Sequence, residues 1–198
     1  VVSSRSLFGT TAGFINNIVT KFGIKVSYVS QTDLSEWRAA VKENTKLLFL
    51  ETPSNPLNEV ADLEALSEIA HAAGALLVVD NSFLSPVGQQ PLKHGADISV
   101  QSATKAIDGH GRVMGGVLSG SEELMTQVAM YCNSCGLAMS PFNAWVLLSG
   151  VETLSVRMEK QFAGALKIAR WLSEQPQVKA VYYSGLPDHP QAALAAKQ

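Results

Sequence analysis

The feature that most limits how this chain can fold is the alternation of short, continuous apolar runs with segments of helical periodicity. Lys46–Glu51, Leu76–Asp80 and Ile98–Val100 read as strands. They lack the in-and-out alternation of a half-solvated sheet, so both of their faces are covered. Asp62 to Ala73, between the first two, has helical spacing: Leu63, Leu66, Ile69 and Ala70 share one face, and Gly74 lies past the end. The pattern predicts an α/β fold, a mainly parallel sheet with helices on both faces.

The remaining segments extend that alternation. Phe14, Ile15, Ile18, Val19 and Phe22 recur at helical spacing up to Gly23, and are expected in the core. Ile24–Val29 reads as a strand, and Asp33-Leu34-Ser35-Glu36 matches a capping box ahead of the next helix. Pro86 and Pro91 punctuate a short helical stretch. Val113 to Ser119 reads as a glycine-containing strand and Glu122 to Asn133 as a helix. Another helix begins at Ser140-Pro141-Phe142. Glu152 to Gln175 is one long amphipathic pattern of the kind that links two domains. Val178–Tyr183 reads as a strand, followed by a last helix. A boundary near residue 152 would separate a domain of 1–152 from the linking helix and beginning of a second domain, 153–198.

Two strand ends carry chemistry. Leu76–Asp80 ends in a carboxylate, and Ile98–Val100 leads into Ser102-Ala103-Thr104-Lys105 and a glycine-rich turn. In open α/β sheets the carboxyl ends of strands line the ligand crevice. A lysine there suits an amine that loses its proton and attacks a carbonyl, because desolvation lowers its basicity. Ser102 and Thr104 present hydroxyls beside it, as a phosphate-bearing aldehyde needs. A carboxylate and a lysine at two such ends form the minimal kit for pyridoxal 5'-phosphate: the lysine makes the Schiff base and Asp80 keeps the pyridine nitrogen protonated. Their separation of 25 residues accommodates one crossover and a return strand.

Glu51-Thr52-Pro53-Ser54-Asn55-Pro56, Val79-Asp80-Asn81 and Ser102-Ala103-Thr104-Lys105, in this order, resemble the Cys/Met-metabolism class of pyridoxal-phosphate enzymes. The similarity runs over essentially all of the chain. Asp108-Gly109-His110-Gly111-Arg112 followed by Gly115-Gly116-Val117 is most similar to the O-succinylhomoserine sulfhydrylase branch. The resemblance implies the large domain of the aspartate-aminotransferase-type fold (type I), sometimes with one antiparallel strand, and the start of a small C-terminal domain. It implies γ-replacement on an O-acylhomoserine, with sulfide giving homocysteine or cysteine giving cystathionine. Lys105 then serves as cofactor lysine and base, Asp80 as partner of the ring nitrogen, and Ser102 and Thr104 as phosphate ligands. Asn55 falls near the cofactor's phenolic oxygen, with Glu51 supporting it from behind.

The family usually has a tyrosine where this chain has Phe8; stacking survives the change, and a phenolic acid or base does not. A plain core phenylalanine is the other reading. Arg112 stands where lyases and cystathionine γ-synthases often have an acid. It either favours hydrosulfide or a succinyl carboxylate, or is a loop arginine holding backbone carbonyls. Family members also use an upstream glycine-rich turn, groups lent by a neighbouring subunit and a downstream arginine. Those parts imply a homotetramer, a dimer of dimers, of a longer chain. The start at Val1 without a methionine and the end at Gln198 in mid-helix pattern suggest the same.

Composition excludes several alternatives. Net charge is −2 with both signs scattered, so no basic stripe favours nucleic acid and no polybasic tract favours a membrane surface. No apolar run approaches the roughly 20 residues that span a bilayer. The first five residues lack the order of a signal peptide. The histidines are not at metal-ligand spacing. Cys132 and Cys135 form a C-x-x-C, read as a redox pair, half a zinc site or two small apolar residues near a helix end. A reducing cytoplasm fits. A dinucleotide-binding oxidoreductase lacks its glycine-rich turn after the first strand. A non-catalytic relic of the fold would have lost the lysine or the acid.

Overall fold

The computed structural model describes all 198 residues. The elements are β1 (Val2–Ser4), α1 (Gly9–Asn17), β2 (Ser27–Val29), α2 (Leu34–Ala40), β3 (Leu47–Glu51), α3 (Leu63–Ala72), β4 (Leu76–Asp80), α4 (Ser85–Gly88), β5 (Ile98–Ser102), β6 (Gly116–Gly120), α5 (Glu122–Cys135), α6 (Pro141–Val151), α7 (Leu154–Ser173) and α8 (Ala192–Lys197), with 3₁₀ turns at Val19–Phe22 and Pro91–His94. Six strands form one sheet in the order β2-β1-β3-β4-β5-β6. All neighbours are parallel except β5 and β6.

The apolar runs form strands because their side chains are covered. Leu48 and Leu50 of β3 and Leu77 and Val79 of β4 are fully buried, and they pack with Trp37 of α2 and with Leu63, Leu66 and Ala70 of α3. A second cluster lies beyond β5, where Ala103 and Ile107 meet Leu147 of α6 and Leu154 and Met158 of α7. Asp33 and Asp62 cap α2 and α3 by accepting backbone N–H groups. No helix is long and apolar enough to cross a membrane.

Several expectations change. The capping box is half formed: the Glu36 carboxylate accepts instead from Ser30 N, 2.8 Å away, and from the Arg5 guanidinium. The first helix breaks at Ile18, and of its expected core residues only Ile15 is buried; Phe14, Ile18 and Phe22 stay exposed because nothing in the chain packs over them. Val178–Tyr183 is irregular rather than a strand. Its β-favouring side chains find no neighbouring strand to complete a ladder, and a strand's backbone groups need one. The strand expected at Ile24–Val29 starts only at Ser27, and the one expected at Val113–Ser119 starts only at Gly116. The long helix is separated from α6 by Glu152 and Thr153.

Candidate functional site

Parallel register brings the chemistry together. Glu51 at the end of β3 pairs with Asp80 at the end of β4, and Asp80 pairs with Val100 of β5, two residues before Ser102. These ends open into a cavity of about 630 Å³, within the usual size of a small-molecule site. Phe8 and Thr11 wall it from the start of α1. Glu51, Asn55, Asp80, Ser82, Phe83 and Ser102 line it from the strand ends and the loops that follow. Lys105, Ala106 and Gly109 come from the turn after β5, and Met158 and Gln161 from α7. A second cleft, of about 400 Å³ beside the C-terminal segment, has no acid, lysine or arginine in its wall.

The loop carrying Asp80 is tightly fixed. Asp80 Oδ1 accepts from Ser82 N at 2.9 Å, and Ser82 Oγ accepts from Ser102 N at 2.7 Å, tying the ends of β4 and β5 together. Behind them Asn81 and Gln89, both buried, share a side-chain hydrogen bond of 3.1 Å. Gln89 also donates to Thr52 O, and Asn81 donates to Ser85 O and Gln89 O. Asn81 belongs to the Val79-Asp80-Asn81 motif, but its pairing with Gln89 leaves no periodic signal in the sequence.

Glu51 is buried, and Oε2 accepts from Phe8 N at 2.9 Å. The resemblance implied a supporting role behind Asn55; the structure makes Glu51 the anchor of the residues that open α1. Burial raises its pKa above the ordinary glutamate range, and the Asp80 charge adds to this. Hydrogen bonds from the Phe8 and Asn55 backbone N–H groups oppose it. Phe8 is about half exposed and lines the cavity, which sets aside the reading of a plain core residue.

Three of the expected residues sit differently from the reading of the sequence. Lys105 lies three residues past the end of β5, on a turn, and is exposed. The burial expected around it is not supplied by the residues of this chain. Thr104 is not part of the wall: its hydroxyl accepts from Gly115 N at 3.1 Å and donates to Gly115 O at 3.3 Å. Of the two hydroxyls expected for phosphate, Ser102 alone lines the cavity, with Ser82 beside it.

Arg112 is also outside the wall. Its Nε donates to Asp108 Oδ1 at 2.9 Å, its backbone N–H to Asp108 Oδ2 at 2.6 Å, and its guanidinium to the carbonyls of Asp108 and Val146. The geometry is that of a loop arginine holding backbone carbonyls and a buried acid. Burial pushes the Asp108 carboxyl up, but hydrogen bonds from Arg112 and from His110 N outweigh it and hold the group below the usual range. Cys132 and Cys135 are free thiols in the last turn of α5. His71 pairs with Asp97 and His94 with Glu64.

The donor set fits pyridoxal phosphate. One cavity offers an amine for an aldehyde, a carboxylate for a ring nitrogen, an aromatic face for a planar ring, and serine hydroxyls for a phosphate. Fold and site together define an α/β domain of the kind that carries this cofactor.

The family profile for Cys/Met metabolism PLP-dependent enzymes matches residues 1–198, and the chain belongs to that family. It is 54% identical over 198 residues to an O-succinylhomoserine sulfhydrylase of Pseudomonas aeruginosa, covering all of this chain and 49% of that protein. It is 46% identical over 191 residues to a chloroplastic cystathionine beta-lyase of Arabidopsis thaliana, covering 96% of this chain and 41% of that one. Among solved structures, a cystathionine gamma-lyase from Lactobacillus plantarum complexed with L-serine superposes with a TM-score of 0.97 at 34% identity, over all of this chain and 52% of the other. The chain spans about half the length of the relatives it matches.

Proposed function

We propose that this chain is the lysine-bearing portion of an enzyme that replaces the succinyloxy group of O-succinylhomoserine with sulfide, releasing homocysteine and succinate. The observation that carries the reading is the single cavity holding Lys105, Asp80, Asn55, Ser102 and Phe8, in a chain 54% identical to a sulfhydrylase of that name. When bound, the cofactor supplies a ring that takes up electron density from the substrate's α carbon. Asp80 holds the proton on the ring nitrogen. Lys105 moves protons at the α and β carbons and must lie within hydrogen-bond reach of both. The γ C–O bond breaks to release succinate, and a C–S bond forms in its place. Phe8 gives an aromatic face and no hydroxyl, so no proton passes through that position. Ser102 and Ser82 receive the phosphate.

In this reading residues 1–152 are the cofactor domain, and 153–198 are the linking helix and the beginning of a second domain. The full-length enzyme is a homotetramer that works in the cytoplasm. The uncovered apolar side chains support further assembly: Phe14 and Phe22 near α1, and Phe142, Trp145 and Leu148 on α6. The free thiols suit a reducing compartment. The similarity to a cystathionine beta-lyase keeps a second reading, a lyase or cystathionine γ-synthase of the same family.

The test uses the full-length protein loaded with pyridoxal phosphate beside Lys105→Ala. A visible absorbance band in the wild type alone is expected, with faster turnover of O-succinylhomoserine by sulfide than by cysteine. Preference for cysteine moves the assignment to the synthase. A band that survives in Lys105→Ala removes the lysine from its role.

A further inference from the structure

Arg157, on the first turn of α7, lies outside the cavity wall. Its guanidinium reaches back to the lysine turn: Nη1 donates to Ala106 O at 2.7 Å, and Nη2 to Ile107 O at 3.3 Å. The same Nη2 donates to Gly150 O at 2.7 Å, near the end of α6, and Nε donates to Thr153 Oγ1 at 3.0 Å. Every partner is a neutral oxygen. Ala106 and Ile107 are the two residues directly after Lys105. The chain then passes so close that a Cβ on Gly109 would lie 2.2 Å from Arg157 Nη1. Gly109 has φ +74°, which lets the turn fold back under the guanidinium.

The other side of the turn is held by Thr104, whose hydroxyl is bonded to Gly115. Within the turn, Asp108 N donates to Ala103 O and Gly109 N to Lys105 O, both at 2.8 Å. Lys105 itself is exposed, so where its amine starts depends on where its backbone is held. The arginine fork reaches three carbonyls at fixed angles, which a lysine ammonium cannot reproduce.

We propose that Arg157 is the positioning residue for Lys105, a latch on α7 that fixes the turn from which the amine enters the cavity shared with Asp80. The inference rests on the reading of Lys105 as the cofactor amine. It also joins the linking helix to the reactive group, since α7 contributes Met158 and Gln161 to the same wall. A shift of α7 relative to the sheet is then carried to the amine through this fork, beside the packing of Leu154 and Met158 on Ala103 and Ile107.

The experiment compares full-length wild type, Arg157→Lys, Arg157→Ala and Lys105→Ala. Amide hydrogen exchange reads the turn, and the rate at which cofactor-free protein captures pyridoxal phosphate, followed at the visible band, reads the amine. In Arg157→Ala the Asp108 and Gly109 amides should exchange about tenfold faster or more, while those of β3, β4 and β5 stay within about twofold. Capture should slow by about tenfold, and millimolar guanidinium should restore part of it. Arg157→Lys should show the same local pattern at smaller size, and it carries the test if the alanine variant does not fold. Unchanged turn exchange and capture overturn the inference. Faster exchange spread evenly over the sheet also overturns it, because Arg157 is then a general stabiliser. A wild type without a Lys105-dependent band overturns the functional reading and this inference with it. A wild type with the band and indifferent Arg157 variants overturns the inference alone.

Discussion

Gly150→Ala and Gly164→Ala make the same chemical change in two helices and should move stability in opposite directions. In α6, a Cβ on Gly150 would lie 2.2 Å from Ile107 O, 3.0 Å from Asp108 O and 3.1 Å from Asp108 Cα. A relaxed carbon–oxygen contact is about 3.3–3.6 Å, so helix and turn must separate by roughly 1 Å. The obstructing atoms are backbone, and no rotamer change relieves them. Overpacking of this kind costs about 1–3 kcal/mol, and the upper half applies where neither side can yield. Replacing a helical glycine returns at most about 1 kcal/mol, less so near a helix end. The net is a loss of about 1–2 kcal/mol, or a Tm lower by roughly 2–8 °C for a chain of this size. Gly164, in the middle of α7, has nothing within 4 Å of its added Cβ. There the gain of about 1 kcal/mol stands unopposed. Thermal and urea unfolding of the two variants beside wild type gives both signs. Equal or raised stability in Gly150→Ala, or loss in Gly164→Ala, refutes the close-approach reasoning.

Leu50→Ala removes a fully buried side chain from β3 and should cost about 3–5 kcal/mol by urea unfolding; a loss under about 1 would mean the cluster collapses around the gap. Glu51 has its folded pKa raised, chiefly by burial. Its contribution is therefore full below the ordinary glutamate value of about 4.3 and fades as pH rises through the raised value. Wild type should lose stability relative to Glu51→Gln over that rise, and a flat difference refutes it. For Asp108 the sign reverses: burial opposes, but the Arg112 and His110 bonds win and depress its pKa. Its contribution is present above about pH 3.9 and lost as pH falls through the depressed value, a sensitivity that Asp108→Asn should abolish in acid unfolding curves. Arg112→Asp should destabilise the protein yet leave the choice between sulfide and cysteine unchanged, because Arg112 lies outside the cavity wall; a changed preference in steady-state kinetics refutes that placement.

What the sequence made legible was local. Runs such as Leu76–Asp80 announce buried strands by composition, and Asp33 and Asp62 announce helix starts by the N–H groups they accept. The juxtaposition of Asp80 with Lys105 followed from one rule about strand ends. The rest depended on partners far along the chain. Val178–Tyr183 has strand composition but no neighbour, so it stays irregular. Phe14 and Phe22 have helical spacing but nothing to pack against. Arg157 meets the carbonyls of Ala106 and Ile107 from about 50 positions away, and no periodicity marks such a contact. Thr104 and Arg112 illustrate the converse, since their chemistry suits a ligand while nearer backbone groups hold them.

The reversal at β6 has a consequence for how such a site can diversify. Every other connection in the sheet must cross over to a strand that runs parallel to the one it leaves, so its length is tied to the threading of the fold. The 13 residues between β5 and β6 leave the sheet and rejoin it at the same rim. That excursion carries Lys105, Asp108 and Arg112. Threading leaves its length free to vary between such sites; in this chain packing sets it, through the Arg157 fork on Ala106 and Ile107 and the close approach of Gly150 to Ile107 O.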